Sequence, residues 1–205
     1  MTVSATQHWD GIYSTIAPDR LSWYQPTAGV SIDLISSSGL DKSGRIADVG
    51  AGASTLADDL VTRGYTSVVL VDISAAALEL TSQRLAGSGA GVEYVVGDIF
   101  AADVGLVDLW HDRALFHFLT DPNDRARYVD AMFRHVRPGG YAVVATFAED
   151  GPESCSGLPT LRYPVEELAA CFAPRFSLVT SRREVHTKPA GGDQPFNYAL
   201  MQRRS

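Results

Sequence analysis

A glycine-rich loop and three aspartates are the features of this sequence whose residue types and spacing point most directly to ligand chemistry. The loop DVGAGAS, at residues 48–54, joins an apolar run to a helical pattern. Glycine at such a turn lets a ligand approach the backbone closely. Asp72 ends the next apolar run along the chain, and Asp98 follows a third. Because the carboxyl ends of parallel strands meet at one edge of a sheet, we expect these two carboxylates and Asp48 to face one crevice.

The spacing within the loop argues against a dinucleotide ligand and favours S-adenosylmethionine. A dinucleotide fingerprint reads G-x-G-x-x-G/A, and here the first two glycines are present but Thr55 takes the third position. Asp48 would repel a pyrophosphate and attract an ammonium group. Asp72 can accept both hydroxyls of a ribose, and Asp98 can accept the exocyclic amine of an adenine. An amino acid, a ribose and an adenine without phosphate fit this set, and an NAD-dependent reductase is the less favoured alternative.

A second group of titratable side chains follows the fourth apolar run, in the segment DLWHDRALFHFL at 108–119. At the end of a parallel strand this segment would face the transferable methyl group. Methyl transfer needs an aligned acceptor, exclusion of water and, for a protonated acceptor, removal of a proton. We predict catalytic roles for Asp112 and His111, because histidine titrates near neutral pH. We predict substrate contacts from Asp112, Arg113, Phe116 and His117. The alternative interpretation is that these side chains pair with one another or lie in the core.

Aromatic side chains are concentrated near the N-terminus. Trp9, Tyr13 and Trp23 all lie within the first 24 residues. A large aromatic ring over a sulfonium gives a cation–π contact and a dry cover. We therefore expect residues 1–40 to form a helical, aromatic lid, although the same rings would also pack an N-terminal helix onto the sheet.

The elements that must position these residues follow an α/β pattern. From Arg45 onward, continuous apolar runs alternate with helical patterns, which predicts a parallel sheet with helices on both faces. We expect five βα units, with Ser74 and Asp121 as N-caps and Pro138-Gly139-Gly140 as the stop of the fourth helix. The last two runs, at 177–185 and 196–203, are joined by a loop alone, which predicts an antiparallel hairpin at the sheet edge.

The string DVGAGAS, together with Asp72, Asp98 and the run RPGGYAVVATF, resembles the class I S-adenosylmethionine-dependent methyltransferases. The resemblance covers residues 45–147 and implies a Rossmann-like, seven-stranded, mostly parallel sheet, to which the terminal hairpin belongs. It also implies that Gly50, Gly52 and Ser54 line the methionine part, that Asp72 holds the ribose and that Asp98 with Ile99 holds the adenine. The predicted cofactor-binding set is Trp9, Tyr13, Trp23, Asp48, Gly50, Ala51, Gly52, Ser54, Asp72, Ile73, Asp98, Ile99 and His111.

Two narrower resemblances concern the acceptor. Asp112-Arg113 is similar to an Asp-Arg pair of thiopurine and tellurite-resistance methyltransferases, which act on soft nucleophiles. Asp124-Arg125 and Tyr128 extend the similarity to the thiopurine enzymes. The N-terminal pattern His8-Trp9-Asp10-x-x-Tyr13, then Ser22-Trp23-Tyr24, resembles some protein-lysine methyltransferases.

Length and charge narrow the remaining classes. The 205 residues predict a single domain, divided into the lid at 1–40, a cofactor-binding core at 45–147 and an acceptor loop, helix and edge hairpin at 148–205. The net charge of −7 disfavours nucleic-acid and anionic-membrane partners. No apolar run approaches a bilayer span and the N-terminus does not resemble a signal peptide. The cysteines, Cys155 and Cys171, match no metal site or disulfide framework, so we expect a cytoplasmic protein without a metal. Fifteen arginines against two lysines suggest a bacterial source.

Three functions remain for comparison. The favoured one is methyl transfer to a small-molecule nucleophile, with a thiol or similar soft atom preferred. The alternatives are a protein-lysine methyltransferase and a protein that binds the nucleoside cofactor without turnover. The acceptor itself and the oligomeric state are left open.

Overall fold

Seven strands form one sheet in the computed structural model, which describes residues 4–88 and 91–204. The strands, in chain order, are β1 (Arg45–Val49), β2 (Ser67–Asp72), β3 (Val92–Val96), β4 (Val107–Arg113), β5 (Val136–Phe147), β6 (Ser154–Cys155), β7 (Leu158–Pro159), β8 (Phe176–Thr187) and β9 (Asp193–Arg203). The sheet order is β3-β2-β1-β4-β5-β9-β8, and β6 and β7 form a separate two-stranded ribbon. Neighbouring strands pair in parallel from β3 through β2, β1 and β4 to β5, and β9 pairs antiparallel with its two neighbours, β5 and β8.

Helices cover both faces of this sheet. They are α1 (Ala5–Thr15), α2 (Gly29–Ser37), α3 (Leu56–Thr62), α4 (Ala75–Leu85), α5 (Pro122–His135) and α6 (Val165–Phe172). On one face, Ile35, Leu60 and Leu78 of α2, α3 and α4 share a buried cluster with strand residues. On the other face, Tyr128 of α5 and Phe172 of α6 do the same. The predicted α/β class, with a mostly parallel seven-stranded sheet and a C-terminal antiparallel pair, is confirmed.

The predicted helix starts agree with the observed caps. Ser74 Oγ accepts from Ala77 N at 3.2 Å, and Asp121 Oδ1 accepts from Asn123 N at 2.7 Å. In the described part of the chain, no helix is long and apolar enough to cross a membrane.

The order of the strands places a crevice between β1 and β4. From β1 the chain moves outward through β2 and β3 and then returns to β4 on the other side of β1. Ligands of open α/β sheets bind at such a reversal, at the carboxyl ends of the strands. Asp48 of β1 and His111 of β4 are direct neighbours in this register.

Two local expectations are wrong. Residues 97–106, all of them described, contain no helix between β3 and β4, so the chain does not have five βα units. Asp98 and Asp103 instead accept from the backbone N–H groups of Phe100 and Gly105, and such local turns compete with helix formation. Helix α5 ends at His135, before the Pro-Gly-Gly sequence, because the chain enters β5 at once and Val136 pairs with Val107.

The terminal hairpin forms as predicted, with one refinement of its placement. Strand β9 lies between β5 and β8, so the first strand of the hairpin, β8, is the edge of the sheet. The loop after β5 carries the ribbon of β6 and β7, and Cys155 of that ribbon is buried.

Candidate cofactor and acceptor site

A cavity of about 370 Å³ opens at the carboxyl ends of β1, β2, β3 and β4. Fourteen residues from the predicted sites line it: Trp9, Tyr13, Trp23, Asp48, Gly50, Ala51, Ser54, Asp72, Ile73, Asp98, Ile99, His111, Arg113 and His117. Gly52, Asp112 and Phe116, which the sequence also suggested, are not among the lining residues. The topology therefore brings most of the predicted side chains together, although they come from five separate stretches of the chain.

The glycine loop after β1 adopts a backbone that suits glycine alone at two positions. Gly50 and Gly52 have positive φ values of 61° and 53°. A Cβ on Gly50 would lie 2.5 Å from Leu115 Cδ1, and a Cβ on Gly52 would overlap the Tyr13 hydroxyl. Because Gly50 and Gly52 have no side chains, Leu115 and Tyr13 can pack closely against the backbone of the loop.

Asp72 ties the end of β2 to this loop. Its Oδ2 accepts from Gly52 N at 2.7 Å and its Oδ1 accepts from Ser74 N at 2.8 Å. Burial raises the pKa of Asp72 to about 6, against the two backbone donors that lower it. A carboxylate has about four acceptor positions, so two further donors can bind it from the cavity.

Asp98 lies at the far end of the same cavity, where β3 stops. Its Oδ1 accepts from Phe100 N at 2.9 Å, which fixes the carboxylate at the start of the connection to β4. Ile99 beside it is buried and lines the cavity as an apolar wall.

Asp48, His111 and Ser31 form a buried hydrogen-bonded row beneath the glycine loop. His111 Nδ1 lies 2.7 Å from Asp48 Oδ1, and His111 Nε2 lies 2.8 Å from Ser31 Oγ. A carboxylate can only accept, so His111 Nδ1 donates to Asp48 and, in the neutral imidazole, Nε2 accepts from the Ser31 hydroxyl. Ser31 belongs to α2, well before β1, and nothing in the sequence pattern pointed to it.

Asp112 lies on the opposite face of the sheet from His111. Successive residues of a strand point to opposite faces, so Asp112 faces α5 while His111 and Arg113 face the cavity. The Tyr128 hydroxyl donates to Asp112 Oδ2 at 2.5 Å, and Leu115 N donates to Oδ1 at 2.9 Å. The side chain is fully buried, and burial raises its pKa to about 6.

These contacts correct the expected catalytic and substrate-binding roles of Asp112. Its carboxylate holds the turn after β4 and has no surface on the cavity. Phe116 is corrected in the same way, because its buried ring packs on Tyr128 and Phe172 in the core of the α5 face. Both residues support the fold around the site.

Arg113 and His117 form the inner end of the cavity. Arg113 Nε donates to Tyr198 Oη at 2.8 Å and its Nη1 donates to Trp23 O at 3.1 Å. The guanidinium also lies 4.4 Å over the Phe196 ring. His117 is fully buried, and burial, with a smaller effect of Arg113, lowers its pKa to about 3. The imidazole is therefore neutral at physiological pH.

Trp9 and Tyr13 of helix α1 line the cavity with aromatic rings. Trp9 makes edge contacts with Trp23 and Phe118, with ring centroids 5.9 and 5.3 Å apart. Asp10 Oδ1 accepts from the Ser74 hydroxyl at 2.6 Å, which anchors α1 to the first turn of α4. Asp10 stands inside the motif already noted, but its role as an anchor depends on a helix 64 residues away in the chain.

Comparison with known families identifies the central part of the chain. Residues 46–140 match the model of a family described as a methyltransferase domain. This central part of the chain is similar to a methyltransferase domain. The predicted enzyme class, a methyltransferase dependent on S-adenosylmethionine, and the predicted cofactor are thereby confirmed.

Individual relatives of this methyltransferase are distant. The curated EEF1A lysine methyltransferase 2 of Danio rerio is 24% identical over 193 residues, which are 84% of this chain and 75% of the relative. A structure described as showing the conversion of a disulfide bond into a thioacetal group during echinomycin biosynthesis superposes with a TM-score of 0.77 at 18% identity, covering 98% of this chain and 92% of the other.

A third relative is 1,6-didemethyltoxoflavin-N1-methyltransferase of Burkholderia thailandensis, solved with 1,6-didemethyltoxoflavin and S-adenosylhomocysteine bound. Its TM-score is 0.69 at 22% identity, covering 87% of this chain and 78% of the other. At these identities, the two structural likenesses show a shared fold.

The polar residues that line the cavity of this methyltransferase suit the hydrogen-bond donors of S-adenosylmethionine. Beside the glycine loop the charged lining residues are the carboxylates Asp48, Asp72 and Asp98. Among the described residues that line the cavity, Arg113 is the sole Arg or Lys, and it lies at the inner end. A ligand without phosphate that carries ammonium, hydroxyl and amine donors suits such a lining.

Proposed function

We propose that this protein transfers the methyl group of S-adenosylmethionine to a small-molecule nucleophile, with a thiol or similarly soft atom preferred. The observation that carries the proposal is the charge of the inner end of the cavity, where Arg113 is the charged side chain and aromatic rings surround it. Its counter-ion Glu184 does not line the cavity. A lysine acceptor arrives as an ammonium group, which Arg113 repels, whereas an electron-rich or anionic small molecule is attracted to this end of the cavity.

The cofactor half of the proposal assigns one residue group to each part of S-adenosylmethionine. Gly50 and Ser54 hold the methionine part, Asp72 accepts from the ribose hydroxyls, and Asp98 with Ile99 holds the adenine. When bound, S-adenosylmethionine supplies an electrophilic methyl group on a sulfonium. The lid rings of α1 exclude water from that group and offer it a cation–π surface.

Proton removal from the acceptor is assigned to the row Asp48–His111–Ser31. As the acceptor loses its proton to Ser31 Oγ, the Ser31 hydroxyl proton passes to His111 Nε2, so the serine is unchanged. The resulting imidazolium is stabilised by Asp48, whose Oδ1 lies 2.7 Å from His111 Nδ1. This arrangement gives His111 a catalytic role in place of Asp112, and it explains why a buried histidine is kept between a carboxylate and a hydroxyl.

A protein-lysine acceptor is the second candidate, because EEF1A lysine methyltransferase 2 is a relative of this chain. The N-terminal motif with Trp9, Tyr13 and Trp23 resembles that class as well. In this alternative, the aromatic rings of the lid would line a channel for the lysine side chain.

We also propose a cytoplasmic location and a bacterial source. The first is supported by two free cysteines, Cys155 and Cys171, as is usual in a reducing compartment. The support for a bacterial source is the excess of arginine over lysine, and nothing else. The similarity of the Asp112-Arg113 region to thiopurine and tellurite-resistance methyltransferases remains a hypothesis about the acceptor.

A radiolabel assay separates the two acceptor classes. The protein is incubated with methyl-labelled S-adenosylmethionine and either a panel of small thiols or a protein lysate. At a limiting concentration of S-adenosylmethionine, Asp72→Ala should lower the labelling, and Asp33→Ala, an exposed aspartate on α2, is the matched control that retains activity. We expect label on a small thiol. Label that appears on protein alone would overturn the small-molecule proposal in favour of the lysine alternative.

A further inference from the structure

Two buried N–H groups at the inner end of the cavity have no hydrogen-bond partner. Seven buried side-chain nitrogen and oxygen atoms among the described residues lack one, and Arg113 Nη2 and His117 Nε2 are the two whose residues line the cavity. Buried polar groups in folded proteins are nearly always paired, so an unpaired donor beside a cavity indicates a missing acceptor. Because both unpaired donors belong to residues that line the same cavity, one ligand with an acceptor group would account for both.

The tautomer of His117 follows from its single backbone contact. Phe147 N donates to His117 Nδ1 at 3.4 Å, so Nδ1 carries a lone pair. The ring is neutral, because burial keeps its pKa at about 3. The proton of a neutral imidazole then lies on Nε2, which makes this unpaired atom a donor.

The unpaired nitrogen of Arg113 is also a donor, since a guanidinium has no acceptor. Its Nη2 lies 3.8 Å from Glu184 Oε2, which is beyond hydrogen-bond distance. Glu184 Oε2 already accepts from the Tyr198 hydroxyl at 2.6 Å, and Glu184 Oε1 accepts from Gln25 Nε2 at 2.8 Å. Glu184 therefore compensates the charge of Arg113 without occupying this N–H group.

Both donors are set among aromatic rings. The guanidinium of Arg113 lies over Phe196, and the His117 ring lies 6.5 Å from the same Phe196 ring and 4.6 Å from Phe147. Phe118 packs edge-on against His117 at 4.5 Å. Both unpaired donors therefore belong to side chains that lie beside the Phe196 ring, in the part of the cavity that Phe147 and Phe196 line.

We propose that the methyl acceptor is an organic acid, whose carboxylate or equivalent oxyanion accepts from Arg113 Nη2 and His117 Nε2 while its apolar part packs on Phe147 and Phe196. This inference rests on the proposed function and names the substrate class of that same site. It assigns Arg113 and His117 as specificity-determining residues. The nucleophilic atom of the acceptor lies elsewhere on the molecule and is not part of this contact.

The test measures binding of two non-reactive probes to the protein saturated with S-adenosylhomocysteine. The probes are 3-phenylpropionate and its amide, 3-phenylpropanamide, which share shape and differ in charge. In the wild type, we expect the acid to bind at least about tenfold more tightly than the amide in isothermal titration calorimetry, as a charge-assisted hydrogen bond requires.

Two variants assign the preference to the named residues. Arg113→Met with Glu184→Gln removes both charges and leaves no buried unpaired carboxylate, and we expect the preference for the acid to fall to near unity. The matched control, Arg183→Met with Asp150→Asn, removes an exposed ion pair between β8 and the turn after β5 and should keep the preference. His117→Phe keeps an aromatic ring but removes the donor, and we expect it to weaken both probes.

The outcomes separate this inference from the proposed function. If S-adenosylhomocysteine binds and the acid shows no preference over the amide, the organic-acid inference is overturned and the methyltransferase assignment stands. A preference that persists in the Arg113→Met, Glu184→Gln protein overturns it as well. If S-adenosylhomocysteine itself does not bind, the proposed function fails, and the inference that rests on it fails with it.

Discussion

The contact between Tyr13 of the lid and Gly52 of the glycine loop can be tested by a pair of substitutions. Gly52 has a φ of 53°, and a Cβ built on it overlaps the Tyr13 hydroxyl. Gly52→Ala therefore introduces two separable penalties, one in the backbone of the loop and one against the lid. Tyr13→Phe removes the hydroxyl oxygen and leaves the ring carbon Cζ, which would lie 3.1 Å from the new methyl group, as the nearest atom of the lid.

The expected sizes follow from the two causes. A non-glycine residue in the left-handed conformation costs roughly 1–2 kcal/mol. Forcing a methyl group into an occupied place costs typically about 1–3 kcal/mol more. Gly52→Ala should thus lower the free energy of unfolding by about 2–5 kcal/mol in the wild-type background. In the Tyr13→Phe background the loss should be smaller by up to about 1–3 kcal/mol, because the overlap with the hydroxyl oxygen is relieved, while the 3.1 Å contact with Cζ and the backbone strain remain.

Urea denaturation of the four proteins of this cycle measures the coupling directly. Tryptophan emission is the natural probe, since Trp9 and Trp23 lie at the lid while Trp110 is fully buried. Titration of each protein with S-adenosylhomocysteine adds the functional readout, because a displaced lid should weaken binding.

Equal costs in the two backgrounds would show that the lid contact does not exist. If Gly52→Ala costs the same free energy of unfolding in both backgrounds, the two substitutions are independent and Tyr13 does not pack on the glycine loop. The lid would then lie elsewhere, and the water-excluding role proposed for α1 would be lost.

Two further predictions concern single carboxylates. Asp72→Ala should weaken the binding of S-adenosylhomocysteine by about 1–3 kcal/mol, because the ligand hydroxyls lose a buried acceptor. The exposed substitution Asp33→Ala should leave this binding unchanged. Equal affinity of the two variants in calorimetry would contradict the ribose assignment. Burial raises the pKa of Asp112 to about 6, above the value of about 3.9 expected in the unfolded chain. Its contribution to the free energy of unfolding is therefore present in full below about pH 4 and is lost as the pH rises through about 6. Tyr128→Phe removes the hydrogen bond to the charged carboxylate, so its cost in urea denaturation should be about 1–3 kcal/mol greater at pH 8 than at pH 5, and equal costs would count against this account.

Much of the fold follows from local signals in the sequence. Fully apolar runs such as VVLVD, ending at Asp72, predict buried parallel strands, and Ser74 and Asp121 cap helices as their positions suggest. The segment between β3 and β4 is a loop and not a helix because Asp98 and Asp103 accept hydrogen bonds from their own backbone, and hydrophobic periodicity does not reveal this local competition.

The candidate site was predictable where it depended on strand ends, and less so where it depended on which way a side chain points. Side chains of β4 alternate between the two faces of the sheet, so His111 and Arg113 face the cavity and Asp112 does not. Because titratable residues follow one another in this segment, the sequence alone does not show which of them face the cavity. Ser31 and Asp10 reach the site through packing of α2 and α1. Trp9 and Tyr13 predict that α1 packs near the site, but neither shows that Asp10 binds Ser74, and the sequence around Ser31 carries no signal of its contact with His111.

Calorimetry of the wild-type protein tests the central claim most directly. S-adenosylhomocysteine, S-adenosylmethionine and NADH are titrated separately at the same ionic strength. The account predicts saturable binding of both adenosyl compounds and none of NADH, because the glycine loop is bordered by Asp48, Asp72 and Asp98 and lacks the third glycine or alanine of a dinucleotide site. Binding of NADH with no heat from either adenosyl compound would contradict it.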